Sequence, residues 1–586
     1  MKVENIRIGI LTSKKDLIMS KVLPLVLIVV IAGVLAFTML SPKEKAAESK
    51  GYLEFLPSNT IMLLTANAPL ESVKKVDFQK YSEFFQSAGQ VLPFDFTDPQ
   101  FYRDKGFDFS LPLGMGIGSI EKQTMIFFCG VQDDKAFSSF LQETAFAGRK
   151  INTTQVGNIS CFSVQGQFGP SPDSIYFFKD GYFVLYASSN PLIRRNLAQE
   201  FEKDVLNSEN KLSQNLVFQE AISGIKDQGD IFFYMDYPSV IKFSSEQTKR
   251  FQPEQSQMMK NLEKIAEDFT SLAFSLKLAG SEFQMHSYMG FQKDSELWKA
   301  YQGKGTAEDL LQQLPSHPLV CAVNATDMQK SWEIAKPTLD MLLSVSPLGE
   351  QLGRSVDEFF SKLEGPISKE LGLNISVEKD ILQNIQGTNA LVLYNLPTQE
   401  KMQFDLLLAA RLNNASKMAN LLQDTLQALQ KKYPDLPLAP FDTKGIRFSV
   451  QKLQPEISME PVICIVGDYL LIASRKELVE KLNQGKGGLL ENIKNQKVLD
   501  GFKKGFPTTG YVKLGELVEQ ILNILPPHIK MQSALISNYT KHFQELVWTG
   551  EIVEKGMYGF LVIKSDGDFL GQIFDEIMLQ MSQGPK

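Results

Sequence analysis

The chain has few residues that could perform acid–base or metal chemistry. Its four histidines are His286, His317, His528 and His542. None lies two to four residues from another candidate metal ligand in the spacing of a recognised metal motif. His317 precedes Pro318 and is predicted to be a turn or surface residue. His528 and His542 would share a site only if two amphipathic helices brought them together.

Nucleophilic and phosphate chemistry also lack a sequence signature. The chain has no G-x-S-x-G elbow, and no serine has an evident histidine partner in a catalytic sequence motif. A catalytic triad can assemble from distant residues, so a hydrolase is kept as the weakest of three functional hypotheses. Residues 303–306 and 485–488 contain glycine and lysine without the full spacing of a P-loop, and we interpret them as flexible turns.

One aromatic segment, FDFTDPQFYRDKGFDF, carries a cluster of carboxylates. These are Asp95, Asp98, Asp104 and Asp108. Oxygen ligands of this kind suit calcium, but the spacing does not match an EF-hand. Aspartates that cap loops explain the cluster more simply. The sequence therefore assigns no catalytic residue, no cofactor, no cofactor-binding residue and no metal ligand.

The cysteines give no metal or redox motif. Cys129, Cys161, Cys321 and Cys464 lie far apart in apolar stretches, and none forms a C-x-x-C pair. We interpret them as buried free thiols. One or two disulfides are the alternative if the compartment is oxidising, and the sequence does not choose the pairing.

Glycines and aromatic residues indicate how the first strands pack. Gly114, Gly116 and Gly118 alternate in a predicted strand, which lets a side chain or backbone approach one face of the sheet. Phenylalanines crowd the start of the first copy described below: Phe84, Phe85, Phe94, Phe96, Phe101, Phe107 and Phe109. We expect a hydrophobic core there. The alternative is an apolar groove that holds a lipid or the hydrophobic part of a partner.

Residues 22–40 form a run of 19 uncharged residues, VLPLVLIVVIAGVLAFTML. At helical rise the run would span roughly 28 Å, about the hydrocarbon thickness of a bilayer. Five lysines and arginines precede it and three follow it within 20 residues, which favours a cytoplasmic N-terminus. We predict a single-pass signal anchor in the inner (cytoplasmic) membrane of a bacterium, with residues 41–586 periplasmic or extracellular. A signal peptide cleaved near Ala36 is the alternative.

Composition is that of a globular protein and excludes one class of partner. Apolar residues make up 43% of the chain and charged residues 22%. The net charge is −7 and no basic stripe is present, so nucleic-acid binding is not expected.

The region after the predicted anchor contains an internal repeat. Residues 162–165 (FSVQ) recur as 448–451, and 181–188 (GYFVLYAS) match 467–474 (GDYLLIAS), both 286 residues later. The order of further segments agrees: Leu-Pro-Ser occurs at 56–58 and 314–316. An apolar run with a downstream helix occurs at 124–129 and 405–410.

Within each copy, short predicted strands alternate with helices. Two hairpins are predicted, around Asp180-Gly181 and around Gly467-Asp468. Residues 327–371 look helical, with breaks expected at Pro337, Pro347 and Pro366. A mixture of hairpins and helices is typical of α+β domains with mainly antiparallel sheets and packed helices.

The predicted domain order follows from the anchor and the repeat. Residues 1–21 form a cytoplasmic tail, 22–40 a transmembrane helix, 41–51 a linker, 52–300 a first α+β repeat domain and 301–586 a second. The second ends in an amphipathic helix, residues 569–581, with its apolar side chains on one face. We expect that helix to dock on its own domain. Contact with the membrane or a partner is the alternative.

The order of these segments resembles an uncharacterised bacterial family, the domain of unknown function 3352. The resemblance rests on the membrane segment followed by Leu56-Pro57, on GFDFSLPLG at 106–114, and on VQDDKAF at 131–137. It covers most of residues 52–566. The resemblance implies a membrane-anchored or exported protein without known enzyme activity, and it transfers no catalytic residue.

Three functions are compatible with these observations. The leading hypothesis is a membrane-anchored envelope protein that binds or scaffolds a partner protein and has no enzymatic activity. The second is a carrier or sensor of lipids or other apolar molecules, because phenylalanine-rich copies lie beside a predicted membrane anchor. The third is an envelope hydrolase with a site assembled from remote residues.

Overall fold

A computed structural model describes residues 50–67, 99–119, 121–166, 172–207, 209–226, 229–251, 256–279, 281–303, 305–345, 347–397, 404–442, 445–449, 460–482, 488–524 and 542–567. The predicted tail, the anchor 22–40, most of the linker and the amphipathic segment 569–581 lie outside these residues. None of the helices within the described ranges is long and apolar enough to cross a bilayer.

The described residues form twenty strands. These are β1 (Met62–Ala66), β2 (Leu113–Ile117), β3 (Thr124–Gly130), β4 (Ile151–Val156), β5 (Ile159–Gln165), β6 (Pro172–Lys179), β7 (Tyr182–Ser188), β8 (Ile231–Met235), β9 (Phe269–Ala279), β10 (Glu282–Phe291), β11 (Val320–Ala325), β12 (Ile385–Asn395), β13 (Asp405–Leu412), β14 (Leu438–Pro440), β15 (Gly445–Phe448), β16 (Val462–Val466), β17 (Tyr469–Ala473), β18 (Thr508–Val512), β19 (Phe543–Val553) and β20 (Gly556–Ser565).

Sixteen α-helices accompany the strands in the same part of the chain. These are α1 (Pro99–Asp104), α2 (Asp134–Glu143), α3 (Pro191–Arg195), α4 (Leu197–Phe201), α5 (Leu216–Gly224), α6 (Tyr237–Phe251), α7 (Ser256–Ala266), α8 (Glu296–Tyr301), α9 (Glu308–Leu311), α10 (Met328–Val345), α11 (Pro347–Leu352), α12 (Val356–Leu371), α13 (Ala415–Lys432), α14 (Lys476–Glu480), α15 (Gln496–Lys504) and α16 (Leu514–Ile524). Short 3-10 or π turns lie at Lys50–Phe55, Glu202–Leu206, Leu212–Gln214, Val377–Ile381, Leu382–Asn384 and Leu489–Asn492.

The first compact unit contains the described residues up to Ser213 together with Asp230–Phe232. Seven of its strands pair antiparallel in the order β1–β2–β3–β7–β6–β5–β4. α2 covers part of one face with Phe137 and Leu141, which pack with Phe183 and Tyr176. Aromatic side chains therefore supply much of this core.

The 3-10 turn Lys50–Phe55 packs on the other face of that sheet. The ring of Tyr52 stacks on Phe128 with 4.7 Å between centroids. A Cβ added to Gly114 would lie 2.5 Å from the Phe128 ring, and one added to Gly116 would lie 2.7 Å from Leu56. The prediction that these alternating glycines allow close packing on one face is confirmed.

The second compact unit contains Gln214–Gly229 and the described residues from Phe233 onward. Its antiparallel sheet runs β9–β10–β20–β19–β18–β11–β12–β13–β17–β16–β15–β14. Both units thus combine helices with antiparallel strands, as the α+β prediction states. The compact units divide near residue 213, whereas the predicted copies divide at 300/301. The reason is that β10 of the first copy pairs with β20 along nine residues.

Seven strands of each unit pair in the same order. The first unit has β1–β2–β3–β7–β6–β5–β4, and part of the second has β11–β12–β13–β17–β16–β15–β14. The segments matched in sequence, 162–165 with 448–451 and 124–129 with 405–410, lie wholly or partly on strands at equivalent places in these orders.

Both predicted hairpins form, with different turns. Asp180 and Gly181 both have positive φ, +54° and +78°, as in a type I′ turn. In the second hairpin Gly467 has φ +58° and stands first in the turn. The two residues that flank the first turn, Lys179 and Tyr182, therefore correspond in structure to Val466 and Tyr469. The separation between corresponding residues is one residue larger than the offset of 286 in the sequence match. Because strand side chains alternate between faces, the turn register decides which residues share a face.

Two of the three predicted helix breaks are wrong. Pro337 lies inside α10 and Pro366 inside α12, whereas Pro347 is the first residue of α11 as expected. An internal proline removes one backbone hydrogen bond and costs about 3 kcal/mol. Helices of 18 and 16 residues retain most of their other backbone bonds and can absorb that cost through packing.

All four cysteines are free and buried, in agreement with the prediction of unpaired thiols. Burial raises the pKa of the Cys161 thiol to about 11 and that of Cys464 to about 12. It also raises the pKa of Cys129 and of Cys321.

We expect no cysteine of the folded protein to react rapidly with a thiol reagent at pH 8. A pKa raised by two units lowers the thiolate fraction about 100-fold, and burial also blocks access. Titration with a chromogenic disulfide should count no fast thiols in the native protein and four after unfolding in guanidinium. A fast-reacting thiol in the native protein would contradict the buried placement.

Candidate functional site

The structure separates the histidines that it describes. His286 is buried on β10, with 2.7 Å between its Nδ1 and the hydroxyl oxygen of Tyr558. His317 is exposed in a turn with φ +63°, as predicted. His542 lies 2.9 Å from Asp566 through Nδ1 and Oδ1. His528, the predicted partner of His542 in a shared site, lies outside the described residues.

The His542–Asp566 pair resembles two members of a catalytic triad. The neighbouring Ser565 is engaged elsewhere, because its hydroxyl donates to the carbonyl of Gly567 at 2.7 Å. This serine therefore stabilises the turn after β20, and the contact gives the imidazole no nucleophile.

The aspartate cluster is only partly described. Asp95 and Asp98 lie outside the described residues. Asp108 accepts hydrogen bonds from the backbone N–H of Ser110 at 2.8 Å and from its hydroxyl at 2.6 Å, as a loop-capping aspartate does. No group of three or more potential metal ligands occurs within the described ranges.

The predicted glycine–lysine turns and the phenylalanine cluster are also partly described. Thr306 accepts from the N–H of Glu308 at 3.1 Å and donates to the carbonyl of Phe502 at 2.9 Å, so its hydroxyl is used in local structure. Lys304 and residues 485–487 lie outside the described part. Phe107 and Phe109 pack in the first core, whereas Phe84, Phe85, Phe94 and Phe96, and the side chain of Phe101, are not described.

The second unit carries a row of aliphatic side chains on one face of its sheet, which we call the apolar stripe. Its five residues are paired across adjacent strands: Ala322 on β11, Leu391 on β12, Leu408 on β13, Ile472 on β17 and Ile463 on β16. Ile472 is 41% exposed, Leu391 39% and Ile463 37%. Four strand spacings make the stripe about 19 Å long.

The opposite face of these strands is closed. Val392, Leu407 and Leu471 have no exposed surface and pack in a core. α9, α14 and α15 contribute the covering side chains, which include Leu311, Leu478 and Phe502. Each strand thus has apolar residues on both faces. The face that carries the apolar stripe is covered only in part, where Ile465 and Leu470 pack with α13.

The apolar stripe contributes to the floor of a shallow depression of about 350 Å³. A second row, two residues along the strands, consists of Asn324, Asn389, Ala410 and Leu470. Leu470 also packs against a buried cluster that includes Met418 of α13, so that helix borders the depression. The side-chain amide of Asn389 donates to the carbonyl of Gly387 at 3.2 Å.

No residue that lines the depression is charged. The lining therefore suits an apolar or neutral surface and offers nothing to neutralise a phosphate or carboxylate. Covering the exposed area of Leu391, Ile463 and Ile472 would contribute about 2–3 kcal/mol, taking about 2 kcal/mol for a fully buried side chain. That magnitude fits one part of a larger contact.

The first unit has a row at the same place in its sheet: Leu64, Met115, Phe127, Leu185 and Tyr176. Phe127 and Leu185 pack against the core that contains α2. Tyr176 is fully buried between the rings of Phe146 and Phe162, with centroids 5.6 and 5.0 Å away. Larger aromatic side chains thus close this row, whereas three of the five residues of the apolar stripe are exposed.

Sequence analysis predicted a hydrophobic core, with an apolar groove as the alternative, and did not predict the apolar stripe. It considered the phenylalanine-rich start of the first copy, where Phe107 and Phe109 are core residues. A signal for the stripe is present in the sequence. Residues 390–394 of β12, most of β13 and all of β17 read as apolar runs, which is typical of strands that are apolar on both faces.

Structural comparison finds similarity to two crystal forms of TP0453. Crystal form III has a TM-score of 0.22 and 9% identity, over 43% of this chain and 83% of that chain. Crystal form IV has a TM-score of 0.22 and 8% identity, over 41% and 79%. No curated protein sequence matches the chain.

The family comparison agrees with the resemblance found in the sequence. A family model described as "Protein of unknown function (DUF3352)" matches residues 93–557, which is most of the chain and includes the apolar stripe. The chain belongs to this family.

Proposed function

We propose that the protein is a membrane-tethered binding or scaffolding protein of the bacterial cell envelope. The uncharged run 22–40 supports the tether, and the lysines and arginines before it favour residues 1–21 in the cytoplasm. The remainder of the chain would then be periplasmic or extracellular. The net charge of −7 argues against a nucleic-acid partner.

The apolar stripe is the single observation that carries the binding proposal. Scattered exposed hydrophobic residues are ordinary, but a row of neighbouring aliphatic residues across five strands forms a continuous surface. Its partner would present an apolar face of its own. We propose no enzymatic activity, because the His542–Asp566 pair has Ser565 turned to another partner. A specific turnover by the purified protein would overturn that part of the proposal.

We also propose that copies 52–300 and 301–586 arose by internal duplication. The matching sequence segments and the shared order of seven strands support it. The two copies would then have diverged at the row of residues beside α2 and α13. That row includes two aromatic residues and has no exposed member in the first unit, whereas it is aliphatic and has three exposed members in the second.

The second candidate function is a carrier or sensor of a single-chain lipid. Its support is the size of the apolar stripe, because one bilayer leaflet is about 15 Å of hydrocarbon and the stripe is about 19 Å long. Mass spectrometry of organic extracts from the purified full-length protein separates the candidates. A lipid at one copy per chain, lost when Ile472 and Leu391 are changed, supports the carrier. Equal background amounts of lipid in the wild type and in the variant would favour a partner protein as the ligand of the stripe.

Introducing charge into the apolar stripe is expected to abolish partner or lipid binding while leaving the fold intact. In the variant Leu391→Glu/Ile472→Glu, both carboxylates would have to be desolvated under an apolar partner. Both residues are exposed in the free protein, so the free energy of unfolding should change by less than about 1 kcal/mol. Binding is measured as the yield of partner or lipid that is crosslinked to the protein in cells. Circular dichroism on heating measures stability. Leu192→Glu, at an exposed leucine of the first unit, is the matched control.

A further inference from the structure

The two units end in edge strands of very different character. β4 and β14 occupy the same place in the two strand orders, and each pairs with one neighbour, β5 or β15, among the described residues. β14 has three residues, Leu438–Pro440, and Pro437 precedes it. Prolines lack the N–H that a further strand would need, so this edge is protected against pairing.

The β4 edge has none of these protections. It has six residues, INTTQV, twice the length of β14, without proline or charge. The side chains of Asn152, Thr153 and Gln155 are exposed. Long, uncharged, exposed edges are templates for another strand, and natural proteins usually block them.

The register of the β4–β5 hairpin shows which backbone groups face outward. Val156 and Ile159 close a two-residue turn, and the N–H of Gln165 donates to the carbonyl of Lys150 at 2.9 Å. Hydrogen bonding alternates along an antiparallel pair, so Asn152, Thr154 and Val156 direct their backbone groups toward β5. Ile151, Thr153 and Gln155 consequently direct theirs away from the sheet.

We infer that β4 is a dimerisation edge that pairs antiparallel with β4 of a second copy of this chain. Outward-facing residues must oppose each other, which sets Thr153 opposite Thr153 of the second copy and Ile151 opposite its Gln155. Opposed threonines are a favourable cross-strand pair, and no two like charges meet within residues 151–156. The contact is isologous and closes as a two-fold dimer.

The inferred dimer joins the β4 edges of two copies into one continuous sheet and does not depend on the apolar stripe. Only its enhancement in a membrane rests on the tether in the proposed function. Three outward residues on each chain supply the pairing bonds, so the interface is small and belongs to the weak class. Confinement of both copies to one membrane would raise their effective concentration and favour it.

Cysteine crosslinking of the full-length chain in its membrane tests the contact. The four native thiols are buried, so Thr153→Cys adds one accessible thiol. Two opposed residues of this kind lie about 5.5 Å apart between Cα atoms, within the range of a disulfide. With a mild copper oxidant we expect most of the Thr153→Cys variant to form a disulfide-linked dimer. Ala439→Cys on β14 should stay at least tenfold less crosslinked. Equal crosslinking of the two variants would overturn the inference.

A charge-swap experiment separates dimerisation from folding defects. Thr153→Lys and Thr153→Glu each place like charges opposite each other at the two-fold axis, whereas a mixture of the two variants places opposite charges there. Because the interface is weak, light scattering is performed at the highest soluble concentration of the purified full-length chain. We expect monomers for each variant alone and dimers for the wild type and the mixture. A monomeric wild type, or variants that dimerise unchanged, would contradict the assigned edge.

Discussion

Gly505→Ala is expected to destabilise the second unit by about 3 kcal/mol, and the equivalent change at Gly467 by about 1 kcal/mol. Both glycines have left-handed backbones, with φ of +68° and +58°. That conformation costs any residue with a Cβ about 1–2 kcal/mol. At Gly467 nothing lies within 4 Å of the added Cβ, whereas at Gly505 it would lie 2.0 Å from the carbonyl oxygen of Gly305.

The difference between the two alanine variants isolates the contribution of close packing at the C-terminal end of α15 to the free energy of unfolding. Gly505 follows this helix, and its N–H donates to the carbonyl of Gly501, so the residue cannot shift without losing the cap. Chemical denaturation of the wild type and both variants gives the two changes in free energy of unfolding. If the two substitutions cost the same, the close approach of Gly505 to Gly305 would be contradicted.

Phe128→Ala is expected to lower the free energy of unfolding of the first unit by about 4 kcal/mol. Its ring has no exposed surface, stacks on Tyr52 and fills the space left by Gly114. Truncation removes the buried ring and leaves a cavity, which costs about 3–5 kcal/mol for phenylalanine. Thermal and denaturant unfolding measure the change.

Phe128→Leu is the matched control, because it keeps most of the buried volume. We expect it to cost less than half as much as the alanine variant. A second alanine variant, Tyr52→Ala in the Phe128→Ala background, should cost less than it does in the wild type, because the stacked pair is already lost. Strict additivity would show that the two rings do not depend on each other.

The fold was predictable where local patterns act on their own. The turn residues Asp180-Gly181 and Gly467-Asp468 determine two hairpins, and both form. The glycines at 114 and 116 correctly indicated close packing on one face. Helix breaks at Pro337 and Pro366 were predicted wrongly, because the intrinsic cost of proline was not weighed against helices long enough to absorb it.

Features that depend on the pairing of strands distant in sequence could not be predicted from local sequence patterns. The sequence offset of 286 does not show that turn geometry shifts the equivalent residues of β7 and β17 by one position. Nor does it show that β10 pairs with β20, which places part of the predicted first copy in the second compact unit.

The candidate site illustrates the same limit. Apolar runs in β12, β13 and β17 indicate apolar residues on both faces of a sheet, but not which face is covered. That depends on where α9, α14 and α15 pack, which is a tertiary property. Aromatic content led to the prediction of a core in the first unit, where Phe107 and Phe109 do pack in a core, and it gave no indication of the apolar stripe in the second unit.

The central claim is that the apolar stripe is a binding surface in the cell, and photocrosslinking tests it most directly. A photoreactive amino acid would replace Ile472 on the stripe, with Asp468 in the adjacent exposed turn as the control. Irradiation of cells that express the full-length protein should give a discrete adduct from Ile472 and none from Asp468. A protein-sized mass increase supports the scaffold, and a lipid-sized one supports the carrier. No adduct at Ile472, or the same adducts at both positions, would contradict the claim that this surface binds a partner.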